Sequence, residues 1–306
     1  MTCPVCRQSD DIAFFLNKEG YDLYKCSLCN HLFVWPVPSI EDLQHVYSFA
    51  NSFQVQPKTI FDESTHIGEK PRESLKQIEH FANKGELLDI GCSSGKFLFL
   101  ARKNGWSVRG VELNKDTAEI ALYNGLEVTM GELSDAHYAP ESFDAIHIGD
   151  VIEHVQDPTS FMRQVRKLLK ADGVIVLVTP NHDAVFPRLT YGLHRIFRMP
   201  WSHPTPPYHL NQFSENSFEK LLATVDMKVI DKRYRRCELL YELGEAHLLR
   251  PCRRARDEKK PALAFGRLIF AILTAVAYTV AYAIDICCFW KRKDFEMRFA
   301  VKKMAA

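Results

Sequence analysis

Short apolar runs at residues 87–90, 107–112, 126–130, 142–148 and 173–180 alternate with stretches of helical spacing. Runs of this length, without polar alternation, fit strands buried on both faces of a parallel sheet. Residues 72–83 place Leu75, Ile78, Phe81 and Ala82 on one helical face and lead into the first run. After the fourth run, Asp157-Pro158 opens a helix with Phe161, Val165, Leu168 and Leu169 on its buried side, and Gly173 is expected to stop it. Residues 227–231 and 295–301 supply a sixth and a seventh strand. This alternation predicts an α/β fold with right-handed crossovers, in which ligands sit at the carboxyl ends of the strands.

The first run ends in Asp89-Ile90-Gly91-Cys92-Ser93-Ser94-Gly95-Lys96-Phe97. Gly91 and Gly95 let the backbone approach a ligand closely. Ser93 or Ser94 caps the next helix, whose free N–H groups then face that ligand. The second run ends on Glu112, a carboxylate placed to accept both ribose hydroxyls of a nucleoside. A dinucleotide fingerprint needs a third glycine, which this turn lacks. The turn followed by the acid instead resembles the first two motifs of class I S-adenosylmethionine (SAM)-dependent methyltransferases. The resemblance implies a Rossmann-like, seven-stranded sheet with SAM as cofactor. It assigns Asp89, Gly91, Cys92, Gly95, Glu112 and, at the end of the fourth strand, Asp150 to the cofactor, with Glu132 and Leu133 on its adenine.

Ahead of this core, Cys3-Pro4-Val5-Cys6 and Cys26-Ser27-Leu28-Cys29 form two CxxC turns. Four thiolates satisfy tetrahedral zinc and leave no open position, so the ion is expected to be structural. Residues 12–16 and 21–25 read as the strands of a zinc ribbon. The chain holds nine cysteines, and those outside the two turns are scattered, which favours a reducing compartment. The expected order is a ribbon at 1–34, a connector at 35–84 with a short capped helix over 39–43, and the SAM-binding core at 85–236. An insertion at 237–293 and a last strand and tail at 294–306 follow. A ribbon before such a core also resembles sugar-modifying methyltransferases of bacterial glycan and antibiotic pathways.

Asp150, Glu153 and His154 are spaced to share one helical face. Their segment, 149–158, resembles the stretch after the fourth strand in methyltransferases of the ubiquinone-biosynthesis type. Three roles stay open. The trio holds a divalent ion, as a related Glu-x-x-Glu-His pattern does in small-RNA 2′-O-methyltransferases. Alternatively, His154 is a general base oriented by Glu153, or the two side chains only shape the pocket. His209, in a His-x-x-x-Phe-Ser segment that resembles the same family, is expected beside His154 on the acceptor side. Residues 182–213 read as an irregular lid, with aromatics to stack on a sugar or quinol ring and Arg188, Arg195 and Arg198 to hold a phosphate.

Composition acts mainly by exclusion. The chain of 306 residues is 46% hydrophobic and 25% charged, with a formal net charge of +1, so no nucleic-acid partner is expected. The first residues have no apolar h-region, which points to a cytoplasmic protein. Residues 268–284 carry no charged side chain and are flanked by basic clusters at 250–260 and 291–293. A single membrane span would separate the seventh strand from the sixth. The segment is therefore expected to lie on the inner membrane face, against anionic lipid. The soluble alternative is a helix packed on a partner or on its own domain. The expected activity is SAM-dependent methyl transfer, in first place O-methylation, to a small-molecule or lipid-linked acceptor of sugar or quinol type. A sugar C-methyltransferase and a non-catalytic zinc-ribbon adaptor at the membrane stand as alternatives, and the oligomeric state is left open.

Overall fold

The computed structural model describes residues 1–39, 43, 60–62, 64–199, 201, 203–236, 261–287 and 294–304. Two basic clusters, at 250–260 and 291–293, lie outside these residues, as do residues 40–42 of the short helix expected over 39–43.

The chain opens with β1 (Ile12–Lys18), β2 (Tyr21–Cys26) and β3 (Leu32–Val34), followed by α1 (Glu69–Phe81). The core then runs β4 (Glu86–Ile90), α2 (Lys96–Lys103), β5 (Ser107–Glu112), α3 (Lys115–Tyr123), β6 (Glu127–Met130), β7 (Phe143–Gly149), α4 (Pro158–Leu168) and β8 (Leu169–Pro180). After it come α5 (Val185–Phe197), β9 (Asn211–Gln212), α6 (Glu215–Thr224), β10 (Met227–Arg235), α7 (Pro261–Cys287) and β11 (Glu296–Lys303). Two compact units emerge: Met1–Thr179 with Pro206–Arg233 and Arg298–Ala306, and Pro180–Thr205 with Tyr234–Met297.

The main sheet has seven strands in the order β10-β11-β8-β7-β4-β5-β6. The pairs β4–β5, β4–β7, β5–β6 and β7–β8 are parallel, so their carboxyl ends share one edge. Leu87, Leu88, Ala145, Ile146 and Val174 to Val178 are fully buried, because the central strands are covered on both faces. The seventh strand, β11, lies between β8 and β10.

Gly173 does not stop α4 as expected. The helix ends at Leu168, and Leu169 is already extended and fully buried as the first residue of β8. Leu169 pairs with Phe143 and Val174 with Ala145, so residues 170–173 bulge from the ladder. Burial of Leu169 overrides the local stop signal.

A second sheet joins β1, β2, β3 and β9. β3 and β9 were too short to leave a pattern in the sequence. β9 comes from the segment after the expected lid, so the N-terminal ribbon is completed by the core. Further bonds stitch them together: Thr159 Oγ1 donates to Pro4 O at 2.7 Å, Asn216 Nδ2 to Cys29 O at 3.1 Å, and Arg7 pairs with Asp157. Asp157 also caps α4, accepting from the N–H groups of Thr159 and Ser160 at 3.1 and 3.0 Å.

In the second unit, α5 packs on α7. The Phe186 ring meets Tyr278 and Tyr282 edge to face, with Ala271 and Ala281 giving the room. Thirteen residues of the expected irregular stretch, Val185–Phe197, are therefore helix. Phe186 and Leu189 at helical spacing face α7, a period hidden in the sequence by interspersed arginine and tyrosine. Among the described residues, no helix is long and apolar enough to cross a membrane.

The double duty of Asp157 gives a test. Asp157→Ala is expected to cost about 1–2 kcal/mol in urea unfolding through the lost cap. Arg7→Ala removes only a half-exposed ion pair and is expected to cost under about 1 kcal/mol.

Candidate active site and cysteine centre

The turn after β4 is set by backbone geometry. Gly91 and Gly95 have φ of +75° and +83°, and a Cβ at Gly95 would lie 2.4 Å from Leu126. The second glycine thus admits α2 close to the chain entering β6. Ser93 also has positive φ, and its N–H donates to Glu112 Oε2 at 2.7 Å. Asn114 N–H donates to Glu112 Oε1 at 2.7 Å. Burial pushes the Glu112 carboxyl above its ordinary range, opposed by these two donors. Each oxygen keeps a lone pair, so the acid fits a pair of ribose hydroxyls.

The other cofactor candidates divide. Cys92 is buried beneath the turn, and burial pushes its thiol up. Asp89 is buried and accepts from His147 Nδ1 at 2.7 Å, while the His147 ring stacks on Phe97. Asp89 therefore braces the sheet interior beneath the turn. Glu132 is exposed and caps the 3-10 turn Leu133–Ala136 in a capping box with Asp135. Leu133 is half-buried beside it.

The segment 150–154 departs from expectation. It is a turn, with Asp150 at φ +54°, so the shared helical face does not form. Asp150 pairs with Lys70 on α1. The divalent-ion set of Asp150, Glu153 and His154 is thus not assembled. The structure instead gathers donor atoms of Glu153, His154 and His209 within 4.8 Å of one another.

Glu153 is fully enclosed. Its Oε2 accepts from Thr179 Oγ1 at 3.0 Å and its Oε1 has no hydrogen-bond partner. Burial, with Asp150 nearby, pushes its carboxyl up to about 8. His154 Nδ1 donates to Tyr208 O at 2.6 Å, and the backbone carbonyl of Asp150 also faces the ring. Burial holds the imidazole below its ordinary value, so it is neutral near pH 7. The ring meets Tyr208 and His209 at centroid distances of 4.6 and 4.8 Å. Sequence reasoning missed Thr179, Tyr208 and Lys70, since nothing local links them to the turn. Both the glycine turn and this cluster lie at the carboxyl ends of β4, β5, β7 and β8.

The four ribbon cysteines are buried free thiols. Cys3 Sγ lies 3.6 Å from Cys29 Sγ, and Cys6 Sγ 3.7 Å from Cys26 Sγ. Tetrahedral zinc with Zn–S of ~2.3 Å requires sulfur–sulfur distances of about 3.8 Å, so the donor set fits that ion.

The methyltransferase-domain family matches this chain over residues 64–232. The ubiquinone biosynthesis O-methyltransferase of Hydrogenovibrio crunogenus is 29% identical over 146 residues, 44% of this chain and 60% of that protein. The protein of the same name from Proteus mirabilis is 30% identical over 149 residues, 46% of this chain and 59% of that one. The chain thus spans 60% or less of the length of these curated relatives. The crystal structure of the [4+2]-cyclase SpnF matches with a TM-score of 0.51 at 16% identity, over 87% of this chain and 95% of that chain. That likeness shows the fold alone. With more than half of its residues matched, and with the glycine turn and Glu112 in place, the chain belongs to the methyltransferase-domain family of class I SAM-dependent enzymes.

Proposed function

We propose that the chain methylates a hydroxyl of a small acceptor, either a quinol-like phenol or a sugar. One observation carries this reading: His154, grouped with Glu153 and His209, stands at the same sheet edge as the glycine turn and Glu112. The name shared by the two relatives favours oxygen over carbon as the acceptor atom.

SAM, when bound, supplies an electrophilic methyl group on a positively charged sulfur. Gly91, Gly95 and Ser93 would shape the turn around it, and Glu112 would accept its ribose hydroxyls. His154 would take the proton of the acceptor hydroxyl as the general base. The Tyr208 carbonyl holds the imidazole through Nδ1. Glu153, kept protonated to about pH 8, offers a donor from Oε1 toward the same space. Orientation of the two reactants supplies much of the rate.

A second reading rests on the 4.8 Å grouping: Glu153, His154 and His209 hold a divalent ion that positions the acceptor. Chelation separates the two, since a base needs no ion. In the ribbon, Cys3, Cys6, Cys26 and Cys29 would hold structural zinc.

Four outcomes are expected. Calorimetric titration with SAM gives binding that Glu112→Ala abolishes; unchanged binding would remove the cofactor assignment. His154→Ala lowers kcat by about 10²–10⁴-fold with SAM binding intact. The acid limb of wild-type kcat/KM falls below the ordinary imidazole value of ~6.5, because burial disfavours the imidazolium. Loss of turnover with EDTA that an added divalent ion restores would instead favour the ion. Purified protein carries one zinc per chain by elemental analysis, and Cys26→Ser loses it together with thermal stability.

A further inference from the structure

Helix α7 is inside out. From residue 271 onward, its buried line is Ala271, Thr274, Tyr278, Ala281 and Asp285, at spacings of three and four. Its exposed side carries Ile272, Leu273, Val276, Val280, Ile284 and Ile286, each 40% to 57% exposed. The side chain facing protein is therefore often polar, while the outward face is aliphatic. A helix against water shows the opposite partition. Residues 271–287 contain one charged side chain, Asp285, and it lies on the buried line. An outward aliphatic stripe of this length is the mark of an apolar surrounding.

The same unit repeats the motif on α5. Ile196 and Phe197 are 73% and 58% exposed and are bracketed by the exposed Arg195 and Arg198. In the sequence, Arg250, Arg253, Arg254, Arg256, Lys259 and Lys260 precede α7, and Lys291, Arg292 and Lys293 follow it. Apolar side chains bordered by cations suit one surface chemistry: hydrocarbon beneath anionic headgroups. A second copy is a poorer occupant, because a twofold contact would bring like-charged flanks together.

Among the described side chains the stripe runs from Ile272 to Ile286, about 21 Å at ~1.5 Å per residue, and among the described residues no helix is long and apolar enough to cross a membrane. A crossing needs ~30 Å of hydrocarbon. Cations at both ends give no inside–outside bias. The chain also leaves from β10 and returns to β11, neighbours in one sheet. These constraints favour a helix lying along the surface over one that pierces it. We propose that the outward face of α7, together with Ile196 and Phe197, docks in the plane of an anionic phospholipid bilayer. This inference stands apart from the methyl-transfer reading.

The test is flotation of the full chain with vesicles of phosphatidylcholine alone, and of phosphatidylcholine mixed equally with phosphatidylglycerol. Wild type should float with the mixed vesicles only, and less so at high salt. Val276→Glu/Val280→Glu alters two outward positions and should lower partitioning by at least about tenfold while leaving SAM titration unchanged. Arg195→Ala/Arg198→Ala should weaken it to a smaller extent. Wild type remaining at the bottom with both vesicle types would overturn the proposal. So would a glutamate variant that floats like wild type. A dimer by light scattering that the glutamate variant dissolves, without flotation of wild type, would assign the face to a second copy and also overturn it.

Discussion

The N–H groups of Leu210 and Asn211 converge on the backbone carbonyl of Glu153, each at 2.9 Å. The placement of Tyr208 and His209 beside the turn after β7 rests on that junction. It ties the turn after β7 to the segment that carries Tyr208 and His209. Asn211 pairs in β9 with Phe33 of β3, and its side chain joins His31 at 3.0 Å and the Val155 carbonyl at 2.7 Å. The cysteine-pinned ribbon is therefore a buttress, and its last strand is borrowed from the wall of the site. A small module without a large core gains anchorage from the sheet, and the sheet gains a fixed backbone beneath two histidines.

Two acids three residues apart are treated differently by their surroundings. Asp150 reaches Lys70 and keeps about half its side chain in solvent, at 46% exposure. Glu153 is enclosed, with Thr179 on one oxygen and no partner on the other. A buried carboxyl without a cation is held neutral by its desolvation cost. Separating the two in this way sets an ion-paired carboxyl and an enclosed one within one turn.

The main sheet was legible because its central strands are covered on both faces, which writes uninterrupted apolar runs into the chain. β3 and β9 were not, since two or three residues cannot display a period. The helical face expected for Asp150, Glu153 and His154 failed at Asp150, whose left-handed backbone starts a turn that spacing alone cannot reveal. The glycine turn was read correctly as a tight one, but the reason differs in part: Gly95 makes room for Leu126, a neighbour known only from the fold. Glu132, expected as an adenine contact, also caps the 3-10 turn that follows it, a local role that its position in the sequence does not show. His154 and His209 were placed together by resemblance, whereas the carbonyl that accepts from His154 Nδ1 is contributed by the backbone and has no sequence signature.

Glu112 carries a consequence for the thermodynamics of ligand entry. Its two oxygens already grip the N–H groups of Ser93 and Asn114, so the strand end and both following turns share one rigid geometry before anything binds. A nucleoside bound there would meet a receptor whose ordering entropy was spent during folding, so less of its contact energy would be lost to immobilising loops. The same clasp sets a limit: any ligand whose hydroxyls miss the two remaining lone pairs must either forgo the acid or break the turn.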